Sequence, residues 1–294
     1  MINSISDILD ALDCSPNSED MKLAEFFKEN GYCILSKSDL IVENLDTYRK
    51  VIDCLIEKES WRGGWEGKEE YMKYKKIFQQ GTHRLGNLFN KNKLFLKLLE
   101  DKNILKVLYS ILGDDLKIGG LDFREPLKGM GLQDLHIDWI PKKNKNEIEN
   151  IVCYIALDDT DENNGTLRVV PGTHKKLGWI DEHQEDKSSH PEEKLVNTKA
   201  GSVILMDANL WHGGTTNISG NRRRVLYMDI RRRKVPQLLN QRIYLDENTQ
   251  KELNEIEKYL LGVSENDEIF EDRVFTAGNV YRKEFKTNVF VNQK

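Results

Sequence analysis

At Lys117 the hydrophobic periodicity of the chain changes, and that change restricts its fold more than any other feature. Five short runs rich in apolar and β-branched residues follow, at 117–124, 151–157, 166–170, 202–207 and 224–230. Gly, Asp-Asn or Pro-Gly bounds each run, the punctuation of strands joined by turns. The pattern before them is different. Residues 5–12, 21–30, 45–58, 94–99 and 104–112 place apolar side chains at helical intervals, interrupted by one compact apolar run at Tyr32–Leu35. Asn17 or Ser18 is placed to cap the helix over 21–30, and Gly31 and Gly113 to close the helices they follow. After the strands, 247–261 reads as one amphipathic helix, with possible short strands in the polar tail.

Helices, then a block of short strands, then a helix describe a mainly β fold with supporting helices (α+β), a sandwich or jelly-roll barrel. The expected organisation is a single domain over 1–294: a helical part to about 115, a barrel over about 116–235, and a C-terminal helix and tail over 236–294. The stretch Trp61-Arg62-Gly63-Gly64-Trp65-Glu66-Gly67 breaks the helical pattern and reads as a lid, a substrate loop or ordinary aromatic packing.

Composition removes several function classes. Charged residues make up 32% of the chain and the net charge is −5, so no overall basic field favours a nucleic-acid partner. Basic clusters such as Arg222 to Arg224 have acidic residues nearby and read as solvated strand edges. Four cysteines without CxxC spacing indicate neither a zinc knuckle nor a disulfide framework. The N-terminus lacks a basic and apolar leader pattern, and no stretch of 18 apolar residues follows. The expectation is a cytoplasmic protein acting on a small-molecule substrate, with no membrane partner. The sequence fixes no oligomeric state.

Within the strand block, His136-Ile137-Asp138 places an imidazole and a carboxylate on the same side of an extended backbone. His212 offers a second imidazole at a later strand edge. Two His and one carboxylate with open positions are the facial set of non-heme Fe(II) oxygenases. Eleven residues past His212, Arg223 is suited to bind a carboxylate co-substrate through two hydrogen bonds. Singly, each has a plainer reading: a strand edge, a core histidine, a solvated arginine.

Other residues join the pattern. Leu157-Asp158-Asp159 and the block from Glu162 through Pro171-Gly172-Thr173-His174-Lys175 follow His136 and Asp138, and Gly201 to Asp207 precedes His212. His212-Gly213-Gly214, Asn217 and Arg223 come next, while Phe26 to Tyr32 and Leu112-Gly113 lie upstream. In this order, over roughly residues 20–235, the chain resembles the phytanoyl-CoA dioxygenase family of Fe(II)/2-oxoglutarate-dependent oxygenases. The resemblance implies a double-stranded β-helix with Fe(II) on His136, Asp138 and His212, and with 2-oxoglutarate and O2 as co-substrates. It selects Arg223 over its neighbours for the far carboxylate of 2-oxoglutarate. Tyr154 and Thr166 are further candidates for the same pocket because they lie on predicted barrel strands beside the site. The resemblance also implies hydroxylation, with desaturation or ring closure as branches. Many family members carry Ser or Thr two residues after the distal His; here that position is Gly214, leaving Thr215 or backbone to substitute. Asp138 argues against halogenation, since halogenating members replace that carboxylate.

For the substrate, period two carries Tyr227 and Asp229 to the same face as Arg223. Asp229 is a candidate for a cationic substrate group, with a salt bridge to Arg231 as the plainer alternative, and Trp139 is a candidate apolar wall. Two other functions use the same residues: a non-catalytic ligand-binding barrel, and a zinc hydrolase built on the triad. The zinc hydrolase gives Arg223 no duty, and the barrel, which would bind a carboxylate or sugar ligand, leaves the triad idle.

Overall fold

The structure, a computed structural model, describes residues 2–35, 37–59, 81–237 and 240–264. The Trp61–Gly67 stretch and the tail strands lie outside the described residues.

Among the described residues, nine strands form two antiparallel sheets. The larger has the order β1-β7-β4-β9-β3-β2, built from β1 (Tyr32–Leu35), β2 (Thr82–Leu85), β3 (Lys117–Pro126), β4 (Asn150–Ala156), β7 (Val203–Asp207) and β9 (Val225–Arg231). The smaller has the order β6-β5-β8, from β5 (Leu167–Val170), β6 (Lys194–Val196) and β8 (Trp211–Gly214). Side-chain alternation divides the larger sheet into two faces. Ile151, Cys153, Leu205, Leu226 and Met228 point to one side and pack with helix residues such as Phe27, Ile52 and Leu108 in the main core. Val152, Tyr154, Ile204, Met206 and Val225 point to the other and meet Leu167, Val169 and Val196 of the smaller sheet. The result is a jelly roll with helices outside the larger sheet, and the inter-sheet layer is where the predicted ligands converge.

Local chemistry explains the helix boundaries. Asn17 caps the helix Ser18–Asn30 by accepting from Asp20 N at 3.0 Å, while the Asp20 carboxylate accepts from Asn17 N at 2.8 Å. Gly31 ends it at φ +83°, and a Cβ there would stand 2.5 Å from His174 Nδ1. The helix expected from residue 45 begins earlier, at Asp39. The single helix expected over 247–261 is two, Glu247–Glu252 and Glu255–Leu261. Between them Leu253 is extended and buried, and Asn254 caps the second helix through a box with Glu257. A short helix, Gln241–Tyr244, was not anticipated. No helix among the described residues is long and apolar enough to cross a membrane.

His174 makes the helix-to-barrel junction pH-sensitive. It is buried against Gly31, and burial first, then the nearby Lys142 charge, push its pKa down to about 4 from an ordinary 6.5. Between those values the unfolded chain binds a proton that the folded one does not, so stability rises with pH across this window. The contribution is full above pH 6.5, is lost as pH falls to about 4, and amounts to roughly 3 kcal/mol. Urea denaturation should therefore show a flatter pH dependence between 4 and 6.5 for His174→Gln than for wild type. Parallel curves would contradict it.

Candidate active site

His136 and Asp138 are not on a regular strand. Residues 131–138 follow β8 loosely, through Gln133 N to Gly214 O (3.0 Å), a single bridge between His136 and His212 (2.9 and 3.1 Å), and Asp138 N to Ala208 O (2.7 Å). The other edge is held at one point, Leu135 N to Lys187 O at 2.8 Å. The alternation survives this irregularity. One ligand atom from each of His136, Asp138 and His212 lies within 4.8 Å of the other two.

The imidazoles are oriented by backbone carbonyls. His136 Nδ1 lies 2.8 Å from Asp134 O, and His212 Nδ1 lies 2.9 Å from Leu210 O. A carbonyl accepts only, so in the neutral ring each Nδ1 carries the hydrogen and each Nε2 keeps its lone pair. Both Nε2 atoms face Asp138: His136 at 3.6 Å from Oδ1 and His212 at 3.3 Å from Oδ2. Ligands about 2.1 Å from a metal and at right angles stand about 3.0 Å apart, so the spacing suits three facial corners of an octahedron. Burial would raise the Asp138 pKa, but His212 and then His136 outweigh it and hold the carboxyl well below its ordinary range. Burial likewise opposes a charge on His136, yet the Asp138 carboxylate raises its pKa. The donor set is anionic and preformed, as a divalent cation requires.

The three consecutive arginines have different partners. Arg222 pairs with Glu125 and with Asp53 (2.7 Å). Arg224 pairs with Asp158 (2.8 Å) and Asp53 (2.9 Å). Arg223 turns the other way, is 5% exposed, and donates from Nη1 to the Tyr227 hydroxyl at 3.0 Å. Its Nε is buried without a hydrogen-bond partner, and no carboxylate among the described residues pairs with it. A buried guanidinium left without an anion is costly, so the position fits a carboxylate ligand.

Tyr154 joins this group, its ring edge-on to Tyr227 at 4.6 Å. Burial first, then the Asp138 and Tyr227 charges, push its pKa well above the ordinary tyrosine value, so it keeps its proton. Thr166 is not drawn in: its buried hydroxyl donates to Val196 O at 2.7 Å within the smaller sheet. Asp229 accepts from Arg231 Nε at 2.7 Å and from Asn150 Nδ2 at 2.5 Å, so its charge is met from within the protein. Arg231 in turn stacks 4.3 Å over Trp139, whose Nε1 donates to Glu149 at 3.0 Å. Two further residues face the layer and were missed in the sequence, Arg124 and Gln133, joined at 2.6 Å. A separate cleft of about 830 Å³ lies between helix Asp39–Glu59 and the β2–β3 edge, but its Glu125 is already bonded to Arg222 and His83.

Comparison with known proteins points the same way. Residues 27–225 match the family described as Phytanoyl-CoA dioxygenase (PhyH). An ectoine dioxygenase from Stutzerimonas stutzeri (strain A1501) is 26% identical over 163 residues, 46% of this chain. The match spans about half, 54%, of that relative's own length. Among solved structures, HygX from Streptomyces hygroscopicus with nickel and 2-oxoglutarate bound superposes with TM-score 0.58 at 15% identity, covering 74% of this chain and 88% of that one. The non-heme alpha ketoglutarate dependent carbocyclase SnoK gives TM-score 0.57 at 17% identity, covering 79% and 87%. At such identities the superpositions show a shared jelly-roll fold. With two thirds of the chain inside the family match and a His-Asp-His cluster in its inter-sheet layer, this chain belongs to the phytanoyl-CoA dioxygenase family of Fe(II)/2-oxoglutarate-dependent oxygenases.

Proposed function

We propose that this protein hydroxylates an unactivated C–H bond of a small molecule, amino-acid-like or a natural-product intermediate, while 2-oxoglutarate is converted to succinate and CO2. The single observation that carries the reading is Arg223, a buried cation with no acidic partner among the described residues, on the face that also carries Tyr154 and Tyr227. Bound Fe(II) supplies the redox chemistry that couples O2 to oxidation of the co-substrate. His136, Asp138 and His212 would hold it, with both imidazole tautomers set in advance by Asp134 O and Leu210 O. Arg223 would take the far carboxylate of 2-oxoglutarate, with Tyr227 fixing the guanidinium and Tyr154 walling the layer as a neutral phenol. A zinc hydrolase leaves Arg223 unused, and a non-catalytic barrel leaves the oriented imidazoles unused. The small-molecule size class draws on relatives such as the ectoine dioxygenase.

The test is an aerobic screen with Fe(II), 2-oxoglutarate and a panel of amino acids and natural-product intermediates, reading succinate and product mass. Substrate-dependent succinate with a product heavier by one oxygen atom is the expected result. A product lighter by two hydrogens would replace hydroxylation with desaturation or ring closure, and no succinate with any substrate would contradict the activity.

A further inference from the structure

We infer that the Tyr227 hydroxyl donates directly to the far carboxylate of 2-oxoglutarate beside Arg223, in place of the hydroxyl that position 214 lacks. The inference rests on the oxygenase reading above and turns Tyr227 from a residue that holds the guanidinium into one that touches the co-substrate.

The place of the missing hydroxyl has no donor to offer. His212 pairs with Val169 and Gly214 with Leu167, and both partners lie in the inter-sheet core. A side chain at 214 would therefore share the inward face with the metal ligand. Its Cβ would stand 3.0 Å from Gly131 O and 3.1 Å from Gln133 Oε1. Gln133 Oε1 accepts from Arg124 Nη1 at 2.6 Å, so two acceptor oxygens border the glycine, and neither can bond a carboxylate. The nearby threonines are committed elsewhere: Thr215 donates at 3.3 Å to Thr166 O, and Thr166 at 2.7 Å to Val196 O.

Tyr227 is differently placed. Arg223 and Tyr227 stand four residues apart, about 14 Å along an extended backbone, with the smaller inward Val225 between them. Their long side chains close that gap and meet at 3.0 Å, Nη1 donating to the phenol oxygen. A phenol oxygen that accepts from a guanidinium still carries its own hydrogen, and no protein acceptor among the described residues takes it. The Tyr227 ring packs against the inter-sheet core, edge-on to Tyr154 at 4.6 Å, which fixes the direction of its hydroxyl, and the residue is only partly buried. Arg223 Nε is likewise buried without a partner. Donors of both side chains thus converge, and a carboxylate that pairs with the guanidinium comes within reach of the hydroxyl.

The test uses the full chain loaded with Ni(II), which binds 2-oxoglutarate without turnover. Calorimetry measures the affinity for nickel, for 2-oxoglutarate and for 2-oxovalerate, which has the same chelating end and no far carboxylate. Tyr227→Phe should weaken 2-oxoglutarate binding about tenfold, the loss of one hydrogen bond to a charged group, and leave nickel and 2-oxovalerate affinity unchanged. The same substitution made in Arg223→Ala should weaken 2-oxoglutarate again, because the hydroxyl meets the carboxylate itself. The inference is overturned if Tyr227→Phe binds 2-oxoglutarate like wild type, or if it loses nickel or 2-oxovalerate in the same proportion. It is also overturned if the substitution has no further effect in Arg223→Ala, since Tyr227 would then act only by holding the guanidinium. Wild-type protein that takes up nickel but no 2-oxoglutarate would instead defeat the oxygenase reading itself.

Discussion

Replacing either His136 or His212 with alanine should abolish Fe(II) retention and succinate formation while leaving the fold intact. Each variant removes one of three ligands, a larger loss than the roughly 10–100-fold that follows when only an outer hydrogen-bond partner is lost. The scaffold tolerates the change because these residues are tied in by main chain: the mutual bridge of His136 and His212 uses backbone N and O alone. Metal content after dialysis against Fe(II), circular dichroism and succinate assay check the three parts. Normal coupled turnover in either variant would remove that histidine from the metal centre. Unfolding of both would show that the imidazoles are structural.

The second large effect is at Arg223. Arg223→Ala removes a charge-assisted bidentate contact, worth about 1.5–3 kcal/mol, so the KM for 2-oxoglutarate should rise by roughly 10- to 150-fold. Arg223→Lys should recover little, since an ammonium cannot reproduce the planar fork or its bond to Tyr227. Arg222→Ala is the informative control. Its guanidinium faces Glu125 and Asp53 on the far side of the sheet, so the variant should lose stability and keep the KM. Equal KM values in wild type, Arg222→Ala and Arg223→Ala would reject the assignment of Arg223.

The strands were legible where short β-rich runs stand between turn residues. The runs 151–157, 202–207 and 224–230 lie within one residue of β4, β7 and β9, because compact runs rich in apolar and β-branched residues, too short for a helix, favour strands. The His-x-Asp pair was legible for a related reason: period two is local and holds even where the segment makes only one bridge. What stayed hidden depends on contacts between distant residues. Helical periodicity over 247–261 is continuous, but burial of Leu253 and the cap formed by Asn254 break the helix in two. Alternation put Asp229 on the inward face without saying whether Arg231 or a ligand would meet it. Arg124 looked like the end of a strand, and only its register with Val225 and its bond to Gln133 bring it to the site. The absence of a hydroxyl at Gly214 was visible in the sequence; that Gln133, far earlier in the chain, lies beside it was not.

The most direct measurement is an anaerobic titration of the protein with Fe(II) and then 2-oxoglutarate, followed by visible absorption. A weak charge-transfer band should appear only when both are present, saturate at one equivalent of iron, and be absent from His136→Ala at the same concentrations. Iron that binds at His136, Asp138 and His212 without giving a band at any 2-oxoglutarate concentration would contradict the assignment of this site to 2-oxoglutarate chemistry.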